Sequence, residues 1–290
     1  MHSFQDLVQF VFAGLTSGVI YAMIALGFGV VHNTMGIVNF TQVDFVSLGG
    51  MFLYGGLIGA KLPVALALPV AVIGVMLVGA LVEFLGLRPS RSRDHLLLIF
   101  LTIGLSLLLR GIMQLIWGKN SLAVPPLAGE TPITVLGATL LPQAVCILAF
   151  AAMAIALLVL FFGRTAAGLA MRGVASNPTA AAVVGLKVWR LRTLSFALAG
   201  ALGGLAGALI TPITTLRYDV GVLLGLKGFA AAILGGFGSF PGAILGGVTL
   251  GLLESLGAAY VSSAWKDAMA FVVLLLVLFV KPHGLMGKSS

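Results

Sequence analysis

Nine apolar runs follow one another along this 290-residue chain, at roughly 8–30, 37–60, 63–87, 95–117, 142–162, 192–211, 222–240, 242–261 and 265–281. Each is close to the about 17–25 residues that a tilted helix needs to cross hydrocarbon. The segments between them are too short to hold a separate soluble domain. Inside lipid, every backbone N–H and C=O must be paired within the chain, so runs of this length read as helices. With 60% hydrophobic and 8% charged residues, and a mean hydropathy of +1.17, the chain has too little polar surface to stay dissolved as a globule. The expected fold is all-α and polytopic, one unit over residues 1–290 with about eight to nine transmembrane helices.

Basic residues gather in three places: Arg88, Arg91 and Arg93; Arg164, Arg172, Lys187, Arg190 and Arg192; Lys281 and Lys288. Positive loops stay cytoplasmic, and nine spans put all three groups there if the N-terminus is outside. Topology thus accounts for the net charge of +8. The basic residues lie at helix ends beside headgroups, without the aromatic interleaving expected of a nucleic-acid binder. The start, MHSFQDLVQF, lacks a basic n-region and a small-residue cleavage site, so no removable signal peptide is expected. Cys146 is the only cysteine and reads as a small packing residue. His2, His32, His95 and His283 are scattered and offer no metal-ligand spacing. The outer connection 118–141 carries Pro125–Pro126, with charge only at Lys119 and Glu130.

The largest cytoplasmic loop, 163–191, contains GVASNPTAAAVVGLKVWR. Asn177 suits an N-cap, Pro178 the first helical position, and Gly185 a left-handed end, so the spacing predicts a short helix with Thr179 to Val184 as its body. Its small apolar residues are ringed by Arg172, Lys187, Arg190 and Arg192. Such a knob fits a groove in a partner; the alternative is an interfacial helix lying on anionic lipid.

Ionisable groups inside a span need a partner, water or a function. Lys227 and Arg110 are expected to snorkel to the outer interface, and Glu83 sits near Arg88. Asp44 and Glu254 lie deeper. Asp44 belongs to NFTQVDF, where Asn39, Thr41 and Gln42 complete the densest polar cluster of any span, as an interrupted helix lining a wet cavity would show. An aromatic followed by a glycine pair recurs in FVSLGGMF and FAAAILGGFGSF, two spans of opposite direction, which suggests an inverted repeat. The competing account of the glycines is close packing, as in Gly14-x-x-x-Gly18, Gly200-x-x-x-Gly204, Gly203-x-x-x-Gly207 and Gly247-x-x-x-Gly251. Gly235 and Gly236 fit both accounts. GGFGSFPG lacks a strand context and the terminal GKSS lacks an upstream glycine, so neither is a nucleotide site.

The pattern T-A-A-x-x-x-G at Thr179, Ala180, Ala181 and Gly185 resembles the EAA-x-x-x-G coupling loop of ABC importer permeases, with Thr179 in place of Glu. GLAMRGVASNPTAAAVVGLKVWRLRTLSFALAGALGGLAGAL, then GLKGFAAAILGGFGSFPGAILGGVTLGLLE and the closing KPHGLMG, resemble the LivH type of branched-chain amino acid permease over nearly the whole chain. GIVNFTQVDFVSLGG is similar to that family's NFAHGE segment: Asn39 and Phe40 match, while Thr41, Gln42, Val43 and Asp44 replace Ala, His, Gly and Glu. The resemblance implies a permease subunit of the bacterial inner membrane, working by alternating access. Its partners would be a second, LivM-like permease, two ATPase subunits that bind the ATP and Mg, and an extracytoplasmic substrate-binding protein. The chain itself would carry no cofactor, catalytic residue or metal. The substrate path would then involve Asn39, Phe40, Thr41, Gln42, Asp44, Gly235 and Gly236. Coupling to the ATPase would involve Arg172, Asn177, Pro178, Thr179, Ala180, Ala181 and Gly185. The departures in NFTQVDF keep urea, short amides and organic acids open as substrates. A proton-coupled secondary transporter using Asp44 and Glu254, and a channel for a small neutral solute, are the rival classes.

Overall fold

The computed structural model describes residues 4–90, 94–129, 131–135, 138–260, 262–263, 266–281 and 284–287. Arg91, Arg93, Glu130, Lys288, His2 and His283 lie outside these. All nine apolar runs are helical. In chain order the helices are α1 (Phe4–Met35), α2 (Gln42–Tyr54), α3 (Val64–Leu81), α4 (His95–Trp117), α5 (Pro142–Arg164), α6 (Ala166–Ser176), α7 (Pro178–Val183), α8 (Val188–Ile210), α9 (Val220–Gly235), α10 (Phe240–Tyr260) and α11 (Lys266–Val280). Wider π-helical turns extend α2 through Gly59 and α3 through Leu87. A small antiparallel hairpin, β1 (Ile133–Val135) and β2 (Ala138–Leu140), lies in the connection between α4 and α5.

Among the described residues, six helices are long and apolar enough to cross a bilayer: α1, α3 with its extension to Ser90, α4, α5, α8 and α10. Length alone therefore does not reproduce the expected eight to nine crossings. The other three apolar runs gave shorter helices for local reasons. α2 starts late, because Gly36 turns left-handed (φ +70°) and the chain stays irregular to Thr41. α9 stops at Gly236 (φ +103°), and α11 has only 15 residues.

α1 and α8 form the buried centre, while α3, α4 and α5 turn most of their apolar surface outward. The centre is held by backbone contact. A Cβ built on Gly18 would fall 2.9 Å from Val248 Cα, and one on Gly207 would fall 1.8 Å from the carbonyl oxygen of Val46. These glycines are small-residue helix contacts, which replace the hydrophobic drive that lipid does not supply. α1 and α10 run antiparallel through Gly14, Gly18, Gly247 and Gly251, and α8 seats on α2 and α3 through Gly200, Gly204 and Gly207.

Aromatic contacts bring the basic termini to one end of the bundle. Phe162 of α5 packs on Phe240 of α10, His32 of α1 on Phe237, and the Arg88 guanidinium lies 4.3 Å from the Trp189 ring centre. At the same end the chain after α11 folds back. The amides of Leu285 and Met286 donate to the carbonyls of Leu234 and Gly235, at 2.8 and 2.9 Å, and so complete the end of α9.

Candidate functional site

The irregular segment after α1 climbs along α4. Gly36 lies beside His95, the first residue of α4. The amide of Phe40 donates to Thr102 Oγ1 at 3.2 Å, seven residues and about 10 Å further up. α2 then begins at Gln42, whose side chain meets Gly27, eight residues before the end of α1 and so about 12 Å inside the bundle. A helix N-terminus is thereby placed in the interior, its first turn tied by the amides of Gln42 and Asp44, which donate to the carbonyls of Asn39 and Thr41 at 3.2 and 3.0 Å.

Side chains organise this break. Asn39 Oδ1 accepts from the amide and the hydroxyl of Thr41, at 3.1 and 2.6 Å, which holds the turn before α2. Gln42 Nε2 donates to the Ala199 carbonyl at 3.2 Å, toward α8. Asp44 turns the other way: its Oδ1 accepts from Arg110 Nε at 2.7 Å, and Arg110 Nη2 donates to Ser106 Oγ at 2.7 Å. Asn39, Thr41, Gln42 and Asp44 are all buried. Three of their atoms, Asn39 Nδ2, Gln42 Oε1 and Asp44 Oδ2, have no hydrogen-bond partner among the described residues. Unpaired buried polar atoms are rare and call for water or a ligand. Below the break, toward the basic end, the Phe40 ring meets Phe229, which also contacts Phe28 and Phe237.

Gly235 and Gly236 are not brought to this break. They form the turn into α10, where a Cβ on Gly235 would fall 1.9 Å from the Gly242 carbonyl oxygen and one on Gly236 would fall 2.4 Å from the Gly287 amide.

The two basic residues expected to snorkel do not. Arg110 is pinned to Asp44 with 27% of its side chain exposed. Lys227 is 4% exposed and donates to Glu254 at 2.9 Å and Asp267 at 2.6 Å. Lys266 Nζ lies 3.2 Å from Glu254, and the Tyr21 hydroxyl donates to it at 2.8 Å. Two lysines thus balance two carboxylates, and Glu254 is fully engaged. Glu83, also buried, accepts the Thr193 hydroxyl. One sequence signal could have found the role of Arg110: Thr102, Ser106, Arg110 and Gln114 recur every fourth residue, which puts a polar seam along one side of α4.

At the basic end, α7 forms as its residues dictate. Asn177 Oδ1 accepts from the amides of Thr179 and Ala180, at 3.0 and 2.9 Å, Pro178 starts the helix, and Gly185 closes it at φ +86°. Ala181 is buried against its own chain, whereas Thr179, Ala180, Ala182, Val183 and Val184 face outward, the valines 83% and 76% exposed. Arg172 on α6 is also exposed. Between α7 and the ends of α3, α4 and α8 lies a cavity of about 460 Å³ lined by Thr179, Glu83, Arg88, His95, Trp189 and Arg192. No group of metal-ligating side chains occurs among the described residues.

Long apolar helices around a broken one with polar lining, and a short capped helix offered outward at the basic end, define a multi-pass membrane protein of the transporter class. The chain belongs to the family described as branched-chain amino acid transport system / permease component, whose model matches residues 10–278. It is 31% identical over 303 residues to the high-affinity branched-chain amino acid transport system permease protein LivH of Escherichia coli K12, covering 99% of this chain and 97% of that one. It is 30% identical to BraD, the corresponding permease protein of Pseudomonas aeruginosa, covering 100% and 97%. The fold is shared with a chain of PsaBC from Streptococcus pneumoniae, at a TM-score of 0.52 and 14% identity over 93% of this chain and 91% of that one. The resemblance seen in the sequence holds, and the relatives are transport permease proteins.

Proposed function

We propose that this chain is the permease subunit of an ATP-binding-cassette importer, carrying branched-chain or related small amino acids across the inner membrane by alternating access. Residues 1–290 act as one permease domain with 163–191 as its coupling loop. The observation that carries this reading is α7: a helix capped at both ends that turns Val183 and Val184 outward at the basic end, as apolar contacts for a partner's groove would be. Two ATPase subunits, holding ATP and Mg, dock there around Arg172, Asn177, Pro178, Thr179, Ala180, Ala181 and Gly185. A LivM-like second permease completes the pore, and an extracytoplasmic binding protein delivers cargo.

The path runs past the break at Asn39, Phe40, Thr41, Gln42 and Asp44, and the aromatic group around Phe229 closes it below. Gly235 and Gly236 contribute by letting α9 and α10 meet at the inner turn. α2 and α9 are short antiparallel neighbours. Val43 lies against Gly225, and Ser47 Oγ accepts from the Gly221 amide at 2.8 Å. Both start within the bundle, which supports an inverted repeat in which the short helices complete eight to nine membrane-embedded segments. The engagement of Glu254 by Lys227, Lys266 and Tyr21 leaves a proton relay without its second free carboxylate, which favours ATP over a proton gradient.

The test is co-purification and uptake. The solubilised chain should retain ATPase subunits, and amino acid uptake into reconstituted vesicles should follow ATP. Uptake that follows an imposed proton gradient, with no retained ATPase, would overturn the assignment.

A further inference from the structure

The ion pair at the break is incomplete on both sides. Asp44 gives Oδ1 to Arg110, but Oδ2 is buried with no hydrogen-bond partner among the described residues. Arg110 uses Nε and Nη2, while Nη1, the other arm of its planar fork, makes no hydrogen bond among those residues. Its side chain is 27% exposed, although Arg110 lies seven residues, about 10 Å, short of the outer end of α4. A charged arginine partly exposed at that depth needs water or a polar ligand in reach, because hydrocarbon would not solvate its charge.

A free acceptor oxygen beside a free guanidinium arm is the complement of a molecule carrying an ammonium and a carboxylate close together. An α-amino acid holds these two groups on one carbon. Phe40, four residues before Asp44 in the irregular turn, and the rings behind it supply apolar surface for a branched side chain.

We propose that Asp44 and Arg110 form a station for the zwitterionic end of an α-amino acid: the pair opens, Asp44 takes the ammonium and Arg110 the carboxylate, and it closes again once the cargo has passed. This rests on the importer reading and deepens it. The charge-assisted bonds that the pair loses on opening are replaced in kind, so the cargo is held without a deep trap. The path then reads the end common to all α-amino acids and tolerates variation in the side chain, while selection among side chains falls to the binding protein.

The test uses the importer purified with its partner subunits, without binding protein, and follows its thermal unfolding with three probes. L-leucine carries both charges, isopentylamine only the ammonium, and 4-methylpentanoate only the carboxylate. The wild type should be stabilised by leucine and by neither half-molecule at equal concentration. Arg110→Gln should gain a response to isopentylamine and Asp44→Asn a response to 4-methylpentanoate, each with at least tenfold weaker apparent affinity for leucine. A purely structural pair would not exchange its preferences in this way. An absent leucine response, equal responses to leucine and the half-molecules, or variant profiles like the wild type would overturn the proposal; where a variant does not assemble, the wild-type profile decides. If leucine gives no response but its uptake still follows ATP, the station falls and the importer reading stands.

Discussion

Asp44 and Glu254 solve one problem in different ways, because a charged side chain deep in a membrane helix persists only with a counter-charge in reach. Glu254 sits among Lys227, Lys266 and Tyr21. Asp44 has Arg110 as its counter-charge, with the Ser106 side chain beside it and Oδ2 unpaired among the described residues. Breaking a buried pair by removing one partner costs about 3–5 kcal/mol, whereas replacing both by apolar groups is often close to neutral. Asp44→Leu and Arg110→Leu should each unfold at markedly lower temperature in detergent, and the double variant should recover most of the loss while transporting nothing. A double variant no more stable than the worse single one would show that the pair does not hold the fold. Neither pairing was legible in the sequence, since the partners stand 66 and 27 residues apart and only the tertiary structure joins them. The polar cluster itself was legible, because Asn39, Thr41, Gln42 and Asp44 interrupt an otherwise apolar run.

Elements built from local chemistry were read closely. The cap, first turn and stop of α7 all follow from Asn177, Pro178 and Gly185, each of which acts on its own neighbours. Which side faces outward did not follow, because six residues of nearly uniform Ala and Val carry no amphipathic signal. The structure turns Ala181 inward, so Ala181→Trp would disturb the seat of α7 on its own chain before it touched a partner. Val183→Glu with Val184→Glu is the sharper variant: insertion and unfolding temperature should be unchanged, with at least tenfold less ATPase retained on purification. Normal retention would remove these valines from the docking surface. At the other punctuated site, Gly235→Ala would drive a methyl to within 1.9 Å of a carbonyl oxygen. The expected outcome is a loss of folded protein, read by size-exclusion chromatography in detergent, since overpacking of this kind typically costs about 1–3 kcal/mol or more. A monodisperse, active variant would show that α9 and α10 can part at no loss.

For the whole molecule, lipid makes the coarse plan readable: a backbone that must pair internally leaves few options, and all nine apolar runs became helices. Their lengths were less readable, because the breaks at Gly36 to Thr41 and at Gly236 lie within stretches that stay apolar on average. The arrangement gathers Arg88, Arg164, Arg172 and Arg192 at one end and leaves Lys61 and Lys119 at the other, which fits an outside N-terminus. In whole cells of a Cys146→Ser background, Lys61→Cys and Lys119→Cys should react with a membrane-impermeant maleimide, and Arg164→Cys, exposed at the basic end, should react only after lysis. The reverse pattern would invert the topology.

The amides of Leu285 and Met286 close the last turn of α9, although α10 and α11 are synthesised in between. Biogenesis is therefore not strictly sequential: α9 can enter the membrane on schedule, but its lower end stays open until two later helices have been laid down. During that interval the carbonyls of Leu234 and Gly235 lack these two donors. Assembly with cytoplasmic subunits can begin on a finished surface only after the chain has returned to seal it.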